Sequence, residues 1–243
     1  MSDEMQWFCW NGIYSHTLGV EVLKLPDIYT PAQRGTAYTV PGRNGTVWVP
    51  DGSLEELVLP AECYLPYEQG VEIAELTRIR EWLSGEGWWM QSNLPGRRYR
   101  AQLRDSIDFV TVLEGFADRT FTLVLYAEPY QYFEPEPRKI ILTAQPATFT
   151  GHGNYQAAPR VEIYGSGDVT LTINDQEIEF TGLTEGAVLD SELRACLLPD
   201  GKTDASGLVT GMDDFPMLAP GANSVSWEGS VERVVISPRW RDV

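Results

Sequence analysis

The stretch Arg98-Tyr99-Arg100-Ala101-Gln102-Leu103 alternates polar and apolar side chains. A period of two places the polar residues on one face of a β-strand and the apolar residues on the other. Thr120–Tyr126 follows the same pattern, with Phe121, Leu123 and Leu125 on its apolar face. The two stretches therefore predict strands of a β-sheet that buries one face.

Similar short segments extend over most of the chain, separated by Gly, Pro, Asn and Asp. Asn11-Gly12 and Asn44-Gly45 are typical of hairpin turns, because both residue types accept a positive φ. The pattern predicts a mainly β protein. The further predicted strands are Trp7–Trp10, Val20–Leu25, Ala37–Val40, Thr46–Val49, Ile107–Leu113, Arg160–Tyr164, Val169–Ile173, Glu177–Thr181 and Val231–Ile236.

One segment departs from this pattern and predicts an amphipathic α-helix over residues 71–84. Its apolar residues recur at spacings of three and four, with charged residues between them. Gly85 follows at the position of a left-handed C-terminal cap. We expect the apolar face to pack on a sheet. The residues of that face are Ile73, Leu76, Ile79 and Leu83.

Residues 128–159 contain repeated Pro and Gly, a composition typical of a connector. They predict a linker between a first domain over residues 1–138 and a second domain over residues 139–243. The predicted fold class is therefore mainly β, with two β-sandwich-like domains, of which the first carries the helix.

The 243 residues carry a formal net charge of -17. Binding to phosphate backbones needs clustered Lys and Arg, and an anionic membrane surface repels such a chain. We therefore expect no nucleic-acid partner and no membrane partner. Cys9, Cys63 and Cys196 form no CxxC pair, which favours free thiols in a reducing cytoplasm over a disulfide framework.

The residue types of enzyme and metal sites are sparse. His16 and His152, the two histidines, lie far apart, and the chain contains no GxSxG, phosphate-loop or HExxH motif. Asp105 and Asp108 would point to opposite faces of a regular strand because their spacing is odd. The sequence thus predicts no catalytic residue, no cofactor and no metal.

The basic residues form one cluster, in which Arg98, Arg100 and Arg104 share a strand face. Two interpretations of this basic face are open. It is either a contact surface for an acidic patch on a neighbouring subunit or a strand face that is exposed to solvent. The candidate subunit-interface residues are Arg97, Arg98, Arg100 and Arg104.

The order of motifs in the first half resembles the N-terminal domain of siphophage distal tail proteins. These motifs are Gly19–Val22, Val40–Thr46, Trp82–Gly85, Tyr99–Leu103, Gly115-Phe116 and Glu128–Tyr130. The second half is similar to the C-terminal galectin-like domain of the same family. Its motifs are Gly165–Asp168, Leu189–Glu192, Phe215–Leu218, Pro220–Asn223 and Trp227–Gly229.

The resemblance implies a non-enzymatic baseplate protein of a virion or prophage, made in the bacterial cytoplasm. Such proteins form a hexameric ring at the distal end of the tail, where the N-terminal domains make a belt. The implied partners are further copies of the chain, the tail-tube protein, the tail-tip hub protein and a receptor-binding protein. The implied role is to join the tail tube to the hub and the host-adsorption apparatus.

A carbohydrate-binding module of a tail-tip or cell-surface protein is the alternative function. A galectin site needs a cluster of His, Asn, Arg and Trp. The segment Trp227–Arg233 contains the Trp, Glu and Arg part of such a cluster but not the His-Asn-Arg part.

Overall fold

The structure is a computed structural model that describes residues 6–66, 73–112 and 118–243. The chain divides into two compact units, residues 1–131 together with Val243, and residues 132–242. Both units are built from antiparallel strands, which confirms the predicted mainly β fold with β-sandwich-like domains. Residues 71–72 of the predicted helix and the Gly115-Phe116 motif lie outside the described residues.

The first unit, here called unit 1, contains one main sheet and a separate two-stranded ribbon. The sheet order is β2-β1-β7-β8-β10-β6-β3, with β9 paired to β10, and the ribbon is β4-β5. A 3₁₀ turn, Ser15–Leu18, follows β2. The strands are β1 (Phe8–Trp10), β2 (Ile13–Tyr14), β3 (Glu21–Lys24), β4 (Gln33–Thr39), β5 (Thr46–Leu54), β6 (Leu57–Leu65), β7 (Gly85–Gln91), β8 (Arg97–Leu103), β9 (Val110–Thr111) and β10 (Arg119–Ala127).

The alternation of polar and apolar residues in the sequence predicts which strand residues of unit 1 are buried in its core. On β8, Tyr99 and Ala101 are buried while Arg98 and Arg100 are half-buried. On β10, the predicted apolar face is fully inside the core, where aromatic rings from β1 and β7 also pack. Phe8 stacks on Trp89 with ring centroids 4.4 Å apart. The predicted buried faces of both stretches are therefore confirmed.

The helix α1 spans Ile73–Trp82. Ile79 and Leu83 are buried, and Leu76 packs against the same core. Ile73 is 83% exposed, so the prediction that it packs on the sheet is wrong. At about 100° per residue, Ile73 points roughly 120° away from Ile79 around the helix axis. Gly85 has a φ of 72°, the left-handed conformation expected of a helix cap.

The second unit, here called unit 2, is organised by two long strands that pair with each other along most of their length. The sheet order is β12-β19-β14-β15-β18, with β13 on β19, β16 on β14, and β17 on β16. A 3₁₀ turn, Ser206–Leu208, precedes β18. The strands are β11 (Gln131–Phe133), β12 (Ile140–Leu142), β13 (Ala147–Gly151), β14 (Arg160–Ile173), β15 (Gln176–Leu183), β16 (Ala187–Asp190), β17 (Ala195–Leu197), β18 (Val209–Met212), β19 (Gly221–Ser237) and β20 (Arg241–Asp242).

The strand β14 pairs with β19 along one edge and with two different strands along its other edge. Its first residues pair with β16 and its last residues pair with β15, with register shifts between Tyr164 and Val169. A Cβ atom on Gly165 would lie 2.5 Å from the Ser230 carbonyl oxygen. The absence of a side chain thus permits the close approach of backbones at this irregular point. The two halves of β14 consequently contribute to different parts of one core.

The predicted connector over residues 128–159 contains regular structure. Its strands β12 and β13 both pair with β19, and Ala157 forms a bridge with Leu218. The description of this segment as a linker is therefore wrong for most of its length. The error arose because these strands are short and their Pro residues lie outside them, where no ladder hydrogen bond is lost. The contact boundary, between Gln131 and Tyr132, lies within the predicted range of residues 128–159 but before the predicted end of the first domain at residue 138.

The beginning and the end of unit 2 are held together. β11 pairs with β20, and the Phe133 backbone N–H donates to the Trp240 carbonyl at 3.3 Å. Tyr155 forms a further antiparallel bridge with Arg241. The first and last strands of the unit thus lie side by side.

Candidate interaction surfaces

The predicted basic face on β8 is compensated within unit 1. The Arg98 guanidinium lies 4.0 Å from the centroid of the Trp88 ring. Arg100 Nη1 lies 3.8 Å from a carboxylate oxygen of Glu128. The Arg97 guanidinium donates to the Gly96 carbonyl at 2.9 Å. These contacts turn the predicted basic face into a surface of mixed charge.

Arg104 follows the end of β8 and makes several such contacts. Its Nη2 atom lies 3.1 Å from Glu56 Oε2, and its Nε atom donates to Gln102 Oε1 at 2.9 Å. The guanidinium also lies 4.7 Å from the centroid of the Tyr126 ring. The positive charge of Arg104 is therefore partly neutralised by Glu56 within unit 1.

A pocket of about 310 Å³ lies beside this cluster. Arg100 and Arg104 line it, whereas Arg97 and Arg98 do not. Three basic and three acidic side chains meet there, so the pocket has no predominant sign of charge. Its charged lining residues are Arg34, Arg100, Arg104, Glu56, Glu86 and Glu128.

The ribbon β4-β5 pairs with no other strand of the described chain. We call residues 33–54, which comprise the two strands and their turn, the arm. Almost every residue of the arm is exposed, including Tyr38 at 54% and Trp48 at 51%. An isolated two-stranded hairpin is marginally stable in water. Packing against another surface would therefore increase the stability of the arm.

Both faces of the arm carry apolar side chains. Ala37 lies opposite Trp48, and Tyr38 lies opposite Val47, so Trp48 and Tyr38 point to opposite faces. A Cβ atom on Gly35 would lie 2.8 Å from the Trp48 ring, which shows that the indole covers the Gly35 backbone. The hairpin predicted from Asn44-Gly45 is present, with Thr39 paired to Thr46 across the turn. Gly45 has the expected positive φ of 79°, but Asn44 does not have a positive φ.

The charges of the arm are concentrated at its base. Arg34 Nε lies 3.5 Å from Glu55 Oε1, and Asp51 accepts hydrogen bonds from the backbone and hydroxyl of Ser53. Those hydrogen bonds lower the pKa of the Asp51 carboxyl. From residue 35 to residue 50 the only charged residue is Arg43. The distal part of the arm is thus apolar with a single positive charge in a strongly acidic chain.

A groove of about 590 Å³ lies on the outer face of the main sheet. Leu23 from β3 and Val110 from β9 are exposed there, and Val124 from β10 also lines it. The acidic residues of the lining are Glu62, Asp105 and Asp108. We call this feature the acidic groove.

The structure differs from two predictions made for residues 105–113. The predicted strand Ile107–Leu113 is shorter in the structure, where β9 comprises Val110 and Thr111 and Leu113 lies outside the described residues. Asp105 and Asp108 precede it in a loop, so strand alternation does not separate them and both line the groove. The Tyr126 hydroxyl donates to Asp105 Oδ2 at 3.0 Å, and this bond raises the pKa of Tyr126.

The tryptophan of the alternative carbohydrate site is inside the core of unit 2. Trp227 is 6% exposed, and its backbone N–H donates to Gln145 Oε1 at 2.9 Å. The other aromatic side chains of residues 132–242 are buried or half-buried. Aromatic residues bind sugars by stacking through an accessible ring face. The structure therefore provides no support for a galectin-type site at Trp227.

A buried ion pair connects two distant parts of unit 2. Arg239 Nη1 and Nη2 donate to Asp190 Oδ1 and Oδ2 at 2.7 and 2.8 Å, and Glu192 lies 3.1 Å from the same guanidinium. Burial raises the pKa of Asp190, but hydrogen bonds from Arg239 and the Leu193 backbone outweigh it, so the pKa is lowered. The pair fixes the segment before β20 against the end of β16.

The described residues contain no group of three or more His, Cys, Asp and Glu that could hold a metal ion. Cys9, Cys63 and Cys196 are free and buried, and burial raises the pKa of Cys63 to about 12. His16 lies beside Tyr14, and His152 lies at the edge of Trp240. No helix in the described ranges is both long enough and apolar enough to cross a lipid bilayer.

The sequence itself matches no protein-family model and no curated protein. The fold, by contrast, is similar to that of a phage protein of solved structure. One of the solved structures that match is SPP1 Dit (gp 19.1), described as a paradigm of the hub adsorption apparatus in phages that infect Gram-positive bacteria. The match has a TM-score of 0.72 and 14% sequence identity, and it covers 96% of this chain and 99% of that chain. The resemblance to distal tail proteins is therefore confirmed at the level of the fold.

Proposed function

We propose that the chain is a structural, non-enzymatic protein of a phage tail tip. The observation that carries this proposal is the fold match to SPP1 Dit over nearly the whole of both chains. Its place would be the distal end of the tail in the virion. Its partners there would be the tail-tube protein on one side and the tail-tip hub protein on the other, with a receptor-binding protein on unit 2.

The proposed assembly is a closed ring of six copies held by unit 1. A ring requires a contact between two different surfaces of the same chain, repeated until it closes. Unit 1 offers such surfaces in the exposed arm and in the short edge strands of its sheet. Unit 2 supplies the outward-facing domain in this proposal.

Sedimentation and negative-stain imaging of the purified full chain test the proposal. Six copies of 27.2 kDa give a particle of about 163 kDa (six times 27.2). We expect association to increase with salt, because charges of -17 on each copy repel at distances that salt screens beyond about 8–10 Å. A chain that stays monomeric at every salt and protein concentration, with tail-tube and hub proteins also present, would contradict the proposal.

A further inference from the structure

We infer that the arm of one copy lies in the acidic groove of a neighbouring copy. The inference rests on the proposed ring and names the two surfaces that form its contact. The arm and the groove are both on unit 1, and none of the residues lining the groove belongs to the arm of the same chain. The arm therefore does not fill the groove of its own copy.

The apolar surfaces of the two features are complementary. One face of the arm carries the exposed side chains of Tyr38 and Val49, and the groove exposes Leu23 and Val110. Removing apolar surface from water contributes about 25 cal/mol per Å². Contiguous exposed apolar surface of this kind typically marks an interaction site. Docking would cover both apolar surfaces in one contact.

The charges of the two features are also complementary. The distal arm carries Arg43 and no acidic residue, whereas the groove carries three carboxylates. Lys24, the basic residue of β3, pairs in register with Glu62, and no Lys or Arg is among the described residues that line the groove. Complementary charges steer association and fix register at a contact. A positively charged tip is thus matched to an acidic recess.

The geometry of the contact also suits a ring. The arm and the groove are different surfaces, so each copy would donate one arm and accept another. Such a head-to-tail contact either closes into a ring or continues as a filament, whereas a contact between identical surfaces stops at a dimer. The contact would also pack the ribbon, which pairs with no other strand within the described chain, against the sheet of a neighbour.

Charge reversal in the full-length protein tests the contact. Arg43→Glu and Asp108→Arg are each expected to weaken self-association about tenfold, because each places like charges together. The double variant should restore it. The matched controls are Arg138→Glu, with the same charge change on unit 2, and Arg43→Glu combined with Asp175→Arg, which should not restore association. Sedimentation measures the dissociation constants, and circular dichroism verifies that every variant is folded.

Crosslinking provides an independent measurement. Tyr38→Cys combined with Val110→Cys should give oligomer ladders with a short bismaleimide, since the native cysteines are buried. Tyr38→Cys combined with Ile73→Cys, an exposed position on α1, should not. A ring that forms in every variant without these crosslinks would overturn the arm–groove contact and leave the proposed function standing. An absence of self-association in the unmodified chain would overturn both.

Discussion

Unit 1 and unit 2 differ in how completely they bury their own apolar surface. Among the described residues, thirteen of the fifteen large hydrophobic side chains that are exposed belong to unit 1, and only Ile141 and Leu193 belong to unit 2. Unit 2 also contains the buried Asp190–Arg239 ion pair. Unit 2 therefore buries nearly all of its large apolar side chains, whereas unit 1 leaves exposed apolar surface of the kind that the proposed ring contact would cover.

The largest expected effect is the loss of the buried ion pair of unit 2. Arg239→Met should destabilise the protein by about 3–5 kcal/mol, because Asp190 then remains as a buried charge without its guanidinium partner. Chemical denaturation measures the change. Arg194→Met removes the exposed Arg194–Asp214 pair and should cost at most about 1 kcal/mol. Equal effects of the two variants would contradict the internal stabilisation of unit 2.

The helix of unit 1 gives the next largest effect. Leu83→Ala should cost about 2–5 kcal/mol, since Leu83 is buried against the core and truncation leaves a cavity. Ile73→Ala, at the exposed start of the same helix, should change stability by less than about 0.5 kcal/mol. A thermal or urea unfolding series that showed the reverse order would mean that the helix packs through a different face.

The smallest expected effect on stability is on the arm. Tyr38→Ala, at a position that is 54% exposed, should change the free energy of unfolding by no more than about 0.5 kcal/mol, yet it should weaken self-association measured by sedimentation. Ile141→Ala, an exposed position on unit 2, should leave both quantities unchanged. If Tyr38→Ala destabilised the isolated chain strongly and left association intact, Tyr38 would pack within its own copy and the arm–groove contact would be contradicted.

Local patterns in the sequence predicted the local structure. The alternation over Arg98–Leu103 and Thr120–Tyr126 identified buried faces, and the spacing before Gly85 identified the helix and its cap. These features depend on interactions within a few residues of each other. The overall fold class followed from them.

The interaction surfaces depend on long-range contacts that no local pattern contains. Glu56 neutralises Arg104 from 48 residues away, so the basic cluster looked more positive in the sequence than it is in the structure. Ala37–Val40 and Thr46–Val49 were predicted as strands, but their separation from the main sheet depends on which strands pair elsewhere. The joint position of Asp105 and Asp108 likewise depends on a loop rather than on strand periodicity.

The adjacency of β11 and β20 has a consequence for how unit 2 can be modified. Because its first and last strands lie side by side, a short peptide could join the two ends of unit 2. Units whose ends lie close together tolerate circular permutation better than units whose ends are far apart. A permutant with these ends joined, and with new ends opened at an exposed loop tip, is therefore expected to fold.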